Sequence, residues 1–260
     1  MSEMVKLSIE EGLARIVLAR PEAGNAMSFE VIDALSRACE MVGGDSSVRA
    51  VLITAEGKNF CVGGDINAFK GAADPGAFIE QLANRLHDGI KALAAIDAPL
   101  VVAVRGAAAG AGLSLAVAGD IVLCGEGASF TMAYSGIGLT SDGGATWTLP
   151  RLIGLRRTQE MYYLNRRVSA AEAAEWGLVT RVLPDETVEE EALAIARRLA
   201  AGPTRGFGGA KRLLARTFSA ALGDQLDAEA CSIGAALRTR DAQNAVKAFL
   251  AREKPVFTGE

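Results

Sequence analysis

Two stretches of this chain place glycines where a buried strand gives way to a turn, and they are the first places to look for chemistry. Val51-Leu-Ile-Thr-Ala55 runs into a loop carrying Gly63-Gly64, and Leu100-Val-Val-Ala-Val104 runs into Gly106-Ala-Ala-Ala-Gly-Ala-Gly112, ahead of the helical Leu113-Ser-Leu-Ala116. Glycine tolerates positive φ and lets one backbone approach another. The first-turn N–H groups of a helix have no intrahelical acceptor, and the aligned peptide dipoles favour an anion there, or a carbonyl oxygen about to become one. Two neighbouring strands that each end in such a loop can aim one N–H apiece at a shared point. That arrangement is an oxyanion hole for a thioester or ester carbonyl, in which one donor is typically worth about 3 kcal/mol of transition-state stabilisation. The same small residues also suffice merely to let a helix pack closely, and from the glycines alone both readings stand. Neither loop is a phosphate cradle of the GxxxxGK[ST] type, and Leu115 occupies the place of the third glycine of a dinucleotide fingerprint, so NAD and ATP are disfavoured.

The elements that must position these loops follow from periodicity. Val5 to Ile9 and Leu13 to Leu18 read as a hairpin, and Ser28 as the N-cap of a helix running to about Val42, ended by Gly43-Gly44. Arg49 to Thr54 reads as a strand. A helix from about Pro75 to Ile96 carries Phe78, Leu82, Leu86, Ile90 and Leu93 on its inner stripe. After the strand at 100–104, further strands are expected at 120–124, 127–132 and 179–182, with helices at 145–149 and 151–164. Ser169-Ala-Ala-Glu172 is a capping box for a short helix that Gly177 stops. From Glu189 onward the pattern is helical, with breaks expected at Gly202-Pro203, at Gly206 to Gly209 and at Gly223, and a last helix from about Asp241 to Arg252. Strands with helical crossovers come first and helices alone come last. The order predicts an α/β core over 1–195 and a helical C-terminal region over 196–260.

The 260 residues, half of them hydrophobic, supply one large core. A net charge of −4 with the two signs intermixed gives no electrostatic footprint for nucleic acid or an anionic membrane. Cys39, Cys61, Cys124 and Cys231 form no CxxC pair, so neither a metal site nor a disulfide framework is expected, and reduced, mostly buried thiols are. No signal-peptide run or spanning segment is visible, and a soluble, cytoplasmic protein is expected. Trp147 and Trp176 read as core residues.

Taken together, Asn25-Ala-Met-Ser28, Asn59-Phe-Cys-Val-Gly-Gly-Asp-Ile66, Gly106 to Ser114, Gly138 to Arg151, Ala170 to Leu178 and Phe249-Leu250 resemble the crotonase, or enoyl-CoA hydratase/isomerase, superfamily over nearly the whole chain. The resemblance implies a spiral of stacked ββα turns, (ββα)n, with an α-helical C-terminal trimerisation region, assembled as a homotrimer or a dimer of trimers. It implies an acyl-coenzyme A substrate held by the N–H groups of Gly64 and Ala111, with no cofactor beyond the coenzyme A of the substrate itself. Cys61, Gly63, Asp65, Ile66, Gly110 and Met132 fall around that site. Lys58, Phe249, Arg252 and Lys254 are candidates for coenzyme A contacts, although isolated surface cations are as readily just solvated. Met27, Ile66, Phe69, Met132 and Tyr134 are candidates for the acyl pocket.

The departures from the family pattern concern the reaction. Hydratases of the family place glutamates where this chain has Ser114 and Tyr134. What remains is Asp142, in Gly138-Leu-Thr-Ser-Asp-Gly-Gly-Ala-Thr-Trp147, a loop similar to that of the ring-epoxyphenylacetyl-CoA isomerase type. A carboxylate on an apolar, Gly-rich loop suits proton transfer, since burial raises a carboxylate toward the operating pH. The plain alternative is that Asp142 only caps the helix starting near Ala145. The implied reaction is a double-bond shift or epoxide isomerisation, with Asp142 moving the proton of a thioester enolate. Three alternatives stay open: a hydratase with a non-standard base, an enzyme like the 4-chlorobenzoyl-CoA dehalogenases, and a non-catalytic acyl-CoA-binding scaffold. The dehalogenase reading gives His87, the only histidine, a catalytic part, whereas its neighbour Asp88 suggests an ordinary surface residue.

Overall fold

The computed structural model describes residues 4–69 and 72–260, the side chain of Phe69 excepted. In chain order the strands are β1 (Val5–Glu10), β2 (Leu13–Leu18), β3 (Ala50–Ala55), β4 (Leu100–Val104), β5 (Ala107–Ala109), β6 (Ile121–Gly125), β7 (Ser129–Thr131), β8 (Arg167–Ser169) and β9 (Arg181–Leu183). The helices are α1 (Phe29–Gly44), α2 (Pro75–Ala95), α3 (Ala111–Ala116), α4 (Ala145–Ile153), α5 (Leu155–Tyr163), α6 (Ala170–Trp176), α7 (Val188–Ala200), α8 (Thr204–Arg216), α9 (Leu222–Leu237) and α10 (Arg240–Ala251).

Six strands form the main sheet in the order β1-β2-β3-β4-β6-β9, and only the β1–β2 hairpin is antiparallel. Both faces of this sheet are covered, which is why β3 and β4 read as continuous apolar runs. Val51, Ile53, Val102 and Val104 point into the cluster that contains α1 and α2, while Leu52, Val101 and Ala103 meet Val188, Ala192 and Ala196 of α7. Helices α1 and α2 close on one another where Gly89 meets Ser36, whose hydroxyl donates to the Arg85 carbonyl at 2.6 Å.

A second sheet, β5-β7-β8, is extended by bridges from Met27 to Gly64 and from Cys61 to Ala108. Strands β2, β3 and β4 are thus each followed by a short stretch of the second layer and then by a helix: β2, Met27, α1; β3, Cys61 to Gly64, α2; β4, β5, α3. This is the ββα spiral that the resemblance implies, with a helical C-terminal region after it. No helix among the described residues is long and apolar enough to cross a membrane.

Several expectations need correction. Between Gly106 and the helix a short strand, β5, intervenes, and the helix starts at Ala111, ahead of Leu113. The break expected near Leu149 falls at Gly154 (φ 81°), and Pro150 sits inside α4. Gly206 to Gly209 lies inside α8, where Gly208 lets the helix approach Asp97: a Cβ there would stand 2.0 Å from its Oδ1. Gly223 lies inside α9 rather than ending a helix. Trp147 is half exposed with the Arg151 guanidinium 3.9 Å over its ring, and Trp176 is partly buried between Arg157 and Arg166. Cys39, Cys61 and Cys124 are buried and their thiols pushed up to about 12 by that burial, whereas Cys231 is exposed.

Gly112 is a tight point between the spiral's turns, where a Cβ would lie 2.4 Å from the Cys61 carbonyl oxygen and 2.6 Å from its Cβ. Gly112→Ala, which improves helix propensity and would stabilise an open helix, is therefore expected to cost about 1–3 kcal/mol through overpacking. A urea titration that found the variant as stable as the parent would contradict this packing.

Candidate active site

Two asparagines and an ion pair shape the first glycine loop. Asn25 donates to the Glu56 and Asn59 carbonyls at 2.9 and 2.8 Å and accepts from Arg20 N–H, while Asn59 Oδ1 accepts from Ala107 N–H at 3.1 Å. Arg20 Nη1 meets Asp65 Oδ2 at 2.9 Å, and Asp65 also accepts from Asn67 N–H. The loop then runs beside β5: Cys61 N–H donates to the Ala107 carbonyl and Ala109 N–H to the Cys61 carbonyl. On its other side, Met27 N–H donates to the Gly63 carbonyl and Asp65 N–H to the Met27 carbonyl. In that parallel bridge the amide of Gly64 itself is turned away from Met27, toward the edge on which Gly110 and Ala111 follow.

The second loop meets the first backbone to backbone. A Cβ on Gly63 would lie 3.1 Å from the Ala109 carbonyl oxygen, and one on Gly110 3.6 Å from the Gly63 Cα. Gly110 adopts φ 52°, ψ −126°, a conformation open in practice only to glycine. Ala111 is the first residue of α3, so its N–H has no acceptor within the helix. Among the described residues, no acceptor is seen for the N–H of Gly64 or of Ala111. The glycines divide by position: Gly106 and Gly112 permit close approach, and Gly63 and Gly110 shape the turns beside two amides that have no acceptor among the described residues.

Beside this pair stands a hydrogen-bonded cluster. Tyr134, buried after the left-handed Ala133 (φ 63°), donates its hydroxyl to Asp142 Oδ1 at 2.5 Å. Burial, reinforced by the Asp142 charge, pushes the Tyr134 phenol above its ordinary value, so it remains a donor to the carboxylate. Ser114 Oγ lies 2.9 Å from the Asp142 carbonyl, 3.2 Å from the Tyr134 hydroxyl and 3.3 Å from the Gly110 carbonyl. His87 reaches in from α2, its Nε2 accepting Gly143 N–H at 3.0 Å. Gly143 (φ 61°) has no room for a side chain, since a Cβ would stand 2.5 Å from that of Ser114.

Asp142 is half-buried, and its carboxylate does not cap α4; that helix has Gly144 at its N-cap, with no side-chain cap bond. His87 is likewise half-buried and engaged, so the reading of it as an ordinary surface residue gives way. Cys61 and Met132 are fully enclosed and expose no side-chain surface to a ligand; both act by packing, Cys61 against Gly112. Ile66 is 54% exposed beside the first loop, Met27 is buried, and the Phe69 side chain lies outside the described residues. Lys58 is exposed on the first loop, its carbonyl against Gly106. Lys254 lines a cavity with Glu10, Glu11 and Arg49, at the N-terminal ends of β2 and β3, the opposite end of the sheet from the glycine loops. Phe249 and Arg252 lie exposed toward that same tail, Phe249 on α10 and Arg252 as its C-cap, and are not brought to the loops within the chain. The residues that sequence reasoning left out are the pins, Arg20, Asn25 and Asn59, whose signal is a cluster of hydrogen-bonding side chains in loops adjoining the glycines.

The Arg20 guanidinium holds the Asp65 carboxyl below its usual range. A group so depressed in the folded state stabilises it above the unfolded value of about 3.9 and loses that contribution as pH falls through the folded value. The stability gap between the parent and Asp65→Asn is therefore expected to be widest near neutrality and to close below about pH 4. Urea midpoints measured across that range check it, and a constant gap would contradict the ion pair.

Comparison with known proteins agrees with this geometry. The family model described as enoyl-CoA hydratase/isomerase matches residues 8–260. The chain is 37% identical to the 1,2-epoxyphenylacetyl-CoA isomerase of Escherichia coli K12, with 100% of both chains covered. It is 35% identical to 4-chlorobenzoyl coenzyme A dehalogenase-2 of an Arthrobacter species, over 76% of this chain and 73% of that one. The crystal structure of an enoyl-CoA hydratase from Polaromonas sp. JS666 superposes with a TM-score of 0.89 at 32% identity, covering 96% of this chain and 98% of that one. With paired glycine loops, a spiral of ββα turns and a family match over almost its full length, this chain belongs to the enoyl-CoA hydratase/isomerase family, the crotonase superfamily.

Proposed function

We propose that this protein is an acyl-CoA isomerase that shifts a double bond, or opens and rearranges an epoxide, through a thioester enolate. The N–H groups of Gly64 and Ala111 polarise the thioester carbonyl; Asp142 removes a carbon-bound proton next to it and returns it elsewhere on the enolate. Coenzyme A enters as part of the substrate, and no other cofactor takes part. The observation that carries this reading is Ser114. Its hydroxyl is within hydrogen-bond distance of both the Gly110 carbonyl and the Asp142 carbonyl, so the base and the helix start that offers Ala111 N–H sit one side chain apart. The full-length likeness to a 1,2-epoxyphenylacetyl-CoA isomerase supports the same class.

A second reading, chloride displacement from an aryl-CoA, draws on the likeness to a 4-chlorobenzoyl coenzyme A dehalogenase and on the presence of Asp142 and His87 in one cluster. Against it, the His87 Nε2 lone pair is already engaged by Gly143 N–H, which leaves that nitrogen unfit to serve as a base. We also propose that the exposed Leu222, Leu226, Ile233 and Leu237 of α9 are covered by further copies of the chain, as a homotrimer or a dimer of trimers. Sedimentation equilibrium at a single-chain mass would refute that assembly.

Asp142→Asn keeps the shape of the site and removes the base. Its kcat on enoyl-CoA and epoxyphenylacetyl-CoA substrates is expected to fall by about 10²–10⁴ with KM little changed. In heavy water the parent should place deuterium in the acyl chain without forming a hydroxyacyl product. Formation of a β-hydroxyacyl-CoA would instead identify a hydratase, and chloride release from 4-chlorobenzoyl-CoA a dehalogenase.

A further inference from the structure

The peptide unit joining Asp142 to Gly143 is held on both sides, and by different helices. Its carbonyl oxygen accepts from Ser114 Oγ of α3 at 2.9 Å, and its N–H donates to His87 Nε2 of α2 at 3.0 Å. The carboxylate of the same residue is held by Tyr134. Three contacts from three elements thus fix the plane of one peptide and the direction of the side chain attached to it. A backbone N–H can only donate, so the nitrogen facing it must carry a lone pair, and the ring proton of a neutral imidazole is then on Nδ1.

We infer that His87 is a positioning residue for Asp142, acting through Gly143 N–H as a neutral, Nε2-accepting imidazole, and that protonation of this one histidine releases the loop that carries the base. The inference rests on the proposed role of Asp142 for its effect on turnover, but not for its structural part. An imidazolium would set an N–H against the Gly143 N–H, two donors facing each other with no acceptor between them. The peptide would have to rotate, and the Cβ of Ser114 leaves Gly143 little room to do so in place.

The charged and titratable groups around His87 have other partners. From the loop side there are the Asp142 carboxylate, whose Oδ1 accepts from the Tyr134 phenol, and that phenol itself. On α2, Asp88 points to Lys91 at 3.8 Å. Arg85 lies about 200° around the helix from His87 and is taken up by Asp33 and Glu40 of α1, where Arg37 also pairs with Asp33. Ahead of the short helix over 66–69 that abuts α2, Asp65 is paired with Arg20.

With one histidine in the chain, ¹⁵N NMR of the labelled full-length protein reads its state without ambiguity. At neutral pH the expected spectrum is that of an imidazole protonated on Nδ1 with Nε2 bare, and acidification should shift the Gly143 amide resonance in step with the imidazole. With a 3-enoyl-CoA as probe, His87→Phe keeps the ring shape without the acceptor, and should lose tenfold or more in kcat with KM within threefold. His87→Gln, whose Oε1 accepts and does not titrate, should restore most of that loss and lack the imidazole-dependent acid limb of the parent's kcat profile. A proton found on Nε2 at neutral pH, an unchanged acid limb in His87→Gln, or parental kcat in His87→Phe would each overturn the inference. Absence of turnover in the parent would count against the proposed reaction instead, and the tautomer and the Gly143 shift would still decide the role of His87. Should His87→Phe fail to fold, those signals and His87→Gln decide it alone.

Discussion

The site depends on two stretches of backbone lying closer together than any side chain would permit. Gly63 touches Ala109 and Gly110, Gly112 touches Cys61, and Gly106 touches Lys58. Each contact joins the end of one spiral turn to the end of the next; at Gly106 and Gly112 there is no room for a Cβ, and at Gly63 one would be tight at 3.1 Å. Ladder bonds between Cys61 and β5 fix the register of that contact, so the turn before Gly64 and the turn before Ala111 are held against each other by main-chain geometry. Amides positioned this way cost little reorganisation when charge develops before them, which is the condition under which such donors are effective.

Asp142 is supported differently. Asp142 sits on an irregular loop, where backbone is ordinarily the least constrained, and its place is set by side chains from three surrounding elements. Ser114 belongs to α3, the helix that starts at Ala111, so the same short helix carries the open Ala111 amide and holds the loop of Asp142. Any displacement of α3 moves both together. That coupling suits a reaction in which carbonyl polarisation and proton removal happen at adjacent atoms.

Much of the fold was legible because its signals are local. The β1–β2 hairpin, the Ser28 cap, the Ser169 capping box and the α2 stripe each lie within a few residues, and each appears as read. The failures came where tertiary contact outweighs local preference. Three alanines between glycines form β5 only because the Cys61 segment and β7 supply partners on either side. Gly208 reads as a helix breaker, yet the helix continues through it because only glycine clears Asp97. Asp142, Ser114 and Tyr134 stood out in the sequence as a lone carboxylate and two departures from the family pattern, but nothing in their spacing says that they touch. His87 is the plainest case: its sequence neighbour Asp88 suggested a surface residue, while its working partner, Gly143, is 56 residues away.

The chemistry open to such a cluster is limited by how its hydroxyls are used. Adding water across a double bond asks for two acid/base groups that hold the same water from opposite sides, and the two positions where hydratases of the family carry glutamates hold Ser114 and Tyr134. Neither hydroxyl stands apart from Asp142: one contacts its peptide carbonyl and the other donates to its carboxylate. The Tyr134 phenol, pushed upward by burial, is a poor base at any ordinary pH. The acid/base capacity of the cluster is therefore that of one carboxylate, with one oxygen held by tyrosine. A single carboxylate can take one proton and give the same proton back, which is what the proposed isomerisation asks of it. The residues at 114 and 134 thus do more than leave out two glutamates, because both hydrogen-bond the one carboxylate residue of the cluster, Asp142.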